Sequence, residues 1–147
     1  MKRILVAVDR SEPSLRAVDM AADIAVKYGA ELLLLTAIPD VGLPDPGIEA
    51  YARIEHIKDG PAALQVESVR DALSEVGERA KAKGARNVSV DVAVGDAAEE
   101  ILASAKSGQA DLIVMGSRGH GRLAGLLLGS VAQKVVGLAS CPVLVVH

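Results

Sequence analysis

Short runs rich in Val, Ile and Leu alternate along this chain with longer segments of helical spacing, and that alternation restricts the fold more than any other feature. The runs are Arg3–Val8, Glu31–Ile38, Asn87–Val94, Asp111–Met115 and Pro142–Val146, each of strand length. From Ser11 to Tyr28 the positions Leu15, Val18, Ala22 and Ala25 form one stripe, with Arg16, Asp19, Asp23 and Lys27 opposite. From Pro61 to Lys83 the stripe is Val66, Val69, Leu73, Val76 and Ala80. A third helix opens at Asp96, with Glu99 in capping-box spacing, and buries Ala98, Ile101, Leu102 and Ala105. A fourth runs from about Ser130 to Ala139.

Such an order predicts an α/β fold: one doubly wound, five-stranded parallel sheet with helices on both faces. Right-handed crossovers favour the strand order 3-2-1-4-5. The 147 residues fit a single domain, spanning 1–147, that needs no disulfide. Half the residues are apolar, yet Phe and Trp are absent and only two Tyr occur. Val, Leu, Ile and Ala must therefore build the core.

In this topology strands one and four lie side by side where the winding reverses, and ligands bind beyond their carboxyl ends. Those ends are Val8-Asp9 and Met115-Gly116. The second opens a glycine-rich connection, GSRGHGRLAGLLLGSV, in which Gly116-Ser117-Arg118-Gly119 is followed by nine residues and then Gly129-Ser130 at a helix start. Glycines admit backbone N–H groups close to a ligand, and a helix N-terminus adds the positive end of its dipole. Arg118 and Arg122 add charge, so the stretch reads as a phosphate cradle. It is not a Walker A loop, since Val131 rather than Lys adjoins Ser130, and no dinucleotide fingerprint follows strand one, where Asp9-Arg10-Ser11 stands.

The spacing G-x2-G-x9-G-[ST], carried by Gly116, Gly119, Gly129 and Ser130, together with the opening ILVAVDRSEPS and the closing ASCPVLVV, resembles the ATP-binding branch of the universal stress protein family. The resemblance implies that Asp9, Gly116, Gly119, Gly129, Ser130 and Val131 contact ATP, with the backbone of Ala37 near the adenine and Met115 lining the site. Val8 and Arg118 complete the expected set. An aspartate at the end of strand one can accept hydrogen bonds from ribose hydroxyls. Mg²⁺ is expected to accompany the phosphates. Family members usually pair as homodimers through the last strand, here Pro142–Val146, whose uncharged edge would otherwise invite uncontrolled pairing.

Alternatives stand beside these readings. Ser130, with Gln133 in capping-box spacing, could simply cap its helix, and Asp9 could be only a turn residue before a cap at Ser11. The long connection Pro39–Gly60 reads as a flap over the crevice or as an insertion without a role, with a short helix near Ile48–Ile57. His120 reads as a surface residue between two glycines, and His56 and His147 lack ligand spacing, so no metal site is expected. Cys141 reads as a core thiol in a reducing compartment.

The expected function is an ATP-binding stress-response or signalling module, cytoplasmic and dimeric, with an unknown signalling partner. The alternative is a slow ATPase or an enzyme that phosphorylates itself at Ser117 or Ser130. Binding is favoured because the cradle offers no loop carboxylate placed as a base. A flavin-binding redox module is a third possibility, weakened because Tyr51 is the one loop aromatic able to stack on the ring. With a net charge of −3 and no paired aromatic platforms, nucleic acid is not expected as a partner. The apolar runs are too short to span a membrane.

Overall fold

The computed structural model describes residues 1–40, 60–119 and 127–147. Their elements run β1 (Arg3–Ala7), α1 (Glu12–Tyr28), β2 (Glu31–Ile38), α2 (Gly60–Ala82), β3 (Val88–Val94), α3 (Ala97–Ser107), β4 (Leu112–Gly116), α4 (Ser130–Leu138) and β5 (Val143–Val146). The strands form one parallel sheet in the order β3-β2-β1-β4-β5, as the alternation predicts. Several ends differ by a residue from the sequence reading. The Val8 N–H still donates to the Leu35 carbonyl at 2.8 Å, so the ladder continues beyond β1. Pro142, which has no N–H, serves as an acceptor for Ile113 just ahead of β5.

The central strands are buried on both faces, and alternate residues supply two cores. Ile4, Val6, Leu32, Leu34 and Val114 meet α1 and α2 on one side. Leu5, Ala7, Leu35, Ile113 and Met115 meet α3 and α4 on the other. Full burial of each Ile, Leu or Val contributes about 1.5–3 kcal/mol. Edge strand β3 instead alternates half-buried Val88, Val90 and Val92 with exposed Ser89 and Asp91.

Helix α1 buries Ala17, Val18, Ala21, Ala22 and Ala25, whereas Leu15 is only half-buried. Its contact face is therefore rotated toward Ala17 and Ala21, because alanines let the helix approach the sheet closely. Asp19, on the stripe opposite the apolar one, is gripped by Arg79 of α2 through contacts of 2.8 and 2.6 Å. Two helices start on side-chain caps: Ser11 accepts from Ser14 N, and Asp96 accepts from Glu99 N at 3.0 Å. That second bond, with Lys134 nearby, holds the Asp96 carboxyl below its ordinary range. At the opposite end of the sheet, Asp111 accepts from the N–H groups of Lys2 and Arg3 and is likewise lowered. Cys141 is half-buried against the α3–α4 core rather than fully interior, and burial pushes its thiol upward. Among the described residues no helix is long and apolar enough to cross a membrane.

Candidate functional site

Strands β1 and β4 are paired with Ala7 opposite Met115, so the segments leaving them diverge from one point. Between them lies a cavity of about 360 Å³. All ten residues singled out in the sequence border it: Val8, Asp9, Ala37, Met115, Gly116, Arg118, Gly119, Gly129, Ser130 and Val131. Its lining joins apolar Ala7, Leu35, Ala37, Ile101 and Met115 to polar Asp9, Ser14, Ser117, Arg118 and Ser130.

Asp9 is set by the turn that follows it. Its Oδ1 accepts the Ser11 N–H at 2.9 Å and also the Ser11 hydroxyl, while Arg10 between them has φ 64, a left-handed conformation uncommon outside glycine. Asp9 thus shapes the turn ahead of the Ser11 cap and also borders the crevice. Its Oδ2 lies 2.6 Å from where a Cβ on Gly119 would stand, so the carboxylate and Gly119 face each other. The Thr36 hydroxyl donates to the Val8 carbonyl at 2.8 Å and satisfies the strand end beneath.

Loop geometry on the β4 side assigns the glycines different tasks. Ser117 is 3% exposed; its N–H donates to the Val146 carbonyl and its own carbonyl accepts from Gly129 N, both at 2.7 Å. The two ends of the glycine-rich connection are thus clamped together, and the Gly129 N–H is spent on the clamp. The Ser130, Val131 and Ala132 N–H groups, in the first turn of α4, have no carbonyl one turn back to bond. Gly129, not Ser130, is the N-cap, and among the described residues no side chain caps this helix. The Gln133 amide turns instead to the Leu128 carbonyl at 2.9 Å, so the capping-box reading of Ser130 fails. An uncapped N-terminus at a cavity suits an anionic ligand.

Sequence reasoning placed Ser117 in the glycine-rich stretch but missed Ala7, Ser14, Leu35, Ala97, Ile101 and Ala132 as lining residues. Ala7 and Ala132 adjoin candidate residues and were within reach. Ala97 and Ile101 carry no motif and reach the crevice only because α3 begins beside the carboxyl end of the sheet. Most of the Pro39–Gly60 connection, including Tyr51, His56 and the expected short helix, lies outside the described residues, as do His120, Gly121, Arg122 and Gly125. Among the described residues no group of three His, Cys, Asp or Glu side chains could hold a metal ion.

Comparison with known proteins places this architecture. The model of the universal stress protein family matches residues 1–147. A universal stress protein of Thermus aquaticus is 38% identical, over 99% of this chain and 98% of its own. One from Methanocaldococcus jannaschii is 37% identical, over 99% and 81%. Among solved structures, a universal stress protein in complex with cAMP is 33% identical with a TM-score of 0.68, covering 99% of this chain and 96% of its own.

Proposed function

The chain belongs to the universal stress protein family, and from that premise we propose that it is a nucleotide-binding signalling protein that holds ATP in the crevice between β1 and β4. The observation carrying this reading is one cavity whose lining combines an apolar set with the Asp9 carboxylate and the start of α4, where Gly129 offers no side-chain cap. A purine would pack on the apolar lining, with the Ala37 backbone and Met115 beside it. Asp9 accepts ribose hydroxyls, and Gly116, Arg118, Gly119, Ser130 and Val131 surround the phosphates. Val8 closes the floor, and Gly129 keeps a Cβ out of the phosphate path. Mg²⁺ bound with ATP would draw most of its ligands from phosphate oxygens and water. The relative bound to cAMP supports an adenine nucleotide in this fold.

Binding is favoured over turnover because Asp9 is the one carboxylate lining the cavity among the described residues, and Ser11 already holds it. In-line phosphoryl transfer needs a residue free to orient the nucleophile. Slow hydrolysis or self-phosphorylation at Ser117 or Ser130 is the lesser reading. The protein acts in the cytoplasm as a homodimer paired along Pro142–Val146, toward a signalling partner. The Ser117–Val146 hydrogen bond gives nucleotide occupancy a direct route to that edge.

Calorimetric titration with adenosine and with ATP tests the assignment. Asp9→Ala is expected to weaken both by about tenfold or more. Loss of ATP alone would move Asp9 from the ribose to the metal, and a wild type that binds neither would overturn the proposal.

A further inference from the structure

Ser11 is 7% exposed and does more than cap α1. Its N–H and its hydroxyl both converge on Oδ1 of Asp9, and its Oγ lies 3.3 Å from the Arg118 carbonyl on the opposite wall. The same Oγ accepts from Ser14 N at 3.3 Å, at the start of α1. The one hydroxyl proton goes to Asp9, so Ser11 joins the end of β1 to the first turn of α1 and lies in contact with the loop leaving β4.

An aspartate side chain turns about two bonds, and each donor that meets it narrows the orientations it can take. Two donors on one oxygen fix the carboxylate plane and set Oδ2 on the Gly119 side. Arg10 holds its left-handed φ of 64 between the two residues, a conformation that persists only where the surroundings impose it. We propose that Ser11 is a positioning residue for ribose recognition: it orients the Asp9 carboxylate toward the sugar hydroxyls, beside the loop that carries Arg118. This rests on the nucleotide reading above. A ribonucleotide loses affinity without Ser11, whereas a ligand lacking the sugar hydroxyls does not.

The test titrates wild type, Ser11→Gly and Ser11→Thr with ATP and with 2′,3′-dideoxy-ATP, each variant first checked for cooperative thermal unfolding. Glycine retains most of the N-cap stability, so the hydroxyl is removed without undoing α1. Wild type is expected to prefer ATP by about tenfold or more. Ser11→Gly is expected to reduce that preference to about twofold, with dideoxy-ATP affinity nearly constant, and Ser11→Thr to retain it. An unchanged preference in Ser11→Gly, or equal losses for both ligands, overturns the positioning role. A wild type that binds both ligands equally overturns it too, while leaving the nucleotide reading intact. A wild type that binds neither overturns both.

Discussion

Gly116 at the end of β4 and Ser14 in the first turn of α1 pack backbone against backbone: a Cβ on Gly116 would sit 2.8 Å from Ser14 N and 2.9 Å from two atoms of Pro13. This glycine of the motif is therefore required by the fold itself, whatever the ligand. The neighbouring backbone belongs to a capped helix turn and cannot yield as a flexible side chain would. Gly116→Ala is expected to destabilise by about 2–3 kcal/mol, read as a shifted urea midpoint at constant slope. Unchanged stability would mean that α1 can retreat from the sheet.

Gly129 behaves oppositely. A Cβ there meets nothing nearer than 3.5 Å, and its φ of −69 is open to any residue. Gly129→Ala should cost no more than about 1 kcal/mol, the difference between glycine and alanine at an N-cap. ATP affinity should nevertheless fall, because the new methyl group enters the ligand's path. Comparing Gly116→Ala with Gly129→Ala by melting and titration separates a glycine needed for packing from one needed for binding.

Arg10 and Gln109 hold positive φ angles of 64 and 51 at opposite ends of the sheet. Glycine at either position relieves a cost of about 1–2 kcal/mol but adds roughly 0.5–1 kcal/mol of chain entropy to be lost on folding. Arg10→Gly and Gln109→Gly are each expected to gain about 0.5–1 kcal/mol in chemical denaturation. A loss at Arg10 alone would show that its side chain contributes contacts outweighing the strain.

Between α1 and α2, the hydrogen bonds from Arg79 hold the Asp19 carboxyl below its ordinary value of 3.8. A carboxylate whose folded value is depressed contributes stability at pH above its unfolded value, and that contribution disappears as pH falls through the folded value. The pair is partly exposed, with 28% of the Asp19 side chain and 48% of Arg79 open to solvent, so screening limits it to about 0.5–1 kcal/mol. Asp19→Asn should lower stability by that amount near neutral pH. The difference from wild type should vanish once pH falls below the folded value of the Asp19 carboxyl, and its persistence there would contradict an electrostatic origin.

Alternation of apolar runs with helical stripes was enough to read the strand order, because right-handed crossovers leave few arrangements open. The crevice was legible for a related reason: β1 and β4 end together, and Asp9 and Gly116 stand at those ends. The division of labour among the glycines was not legible. Gly116 faces Pro13 and Ser14, and Gly129 is clamped to Ser117, through contacts distant in sequence that no local spacing encodes. The cap at Ser130 failed for a similar reason, since Gln133 finds its acceptor in Leu128 before the helix. Ala97 and Ile101 look like ordinary helix residues until α3 is placed beside the crevice.

The most direct measurement is a two-dimensional amide NMR spectrum of the isotopically labelled protein recorded with increasing ATP. The account predicts saturable shifts at Val8, Asp9, Ala37, Met115–Gly119 and Ser130–Ala132, with Arg3, Ser89 and Ser104–Ala110 at the opposite end of the sheet unmoved. No saturable shift, or shifts centred on that opposite end, would contradict nucleotide binding at the crevice between β1 and β4.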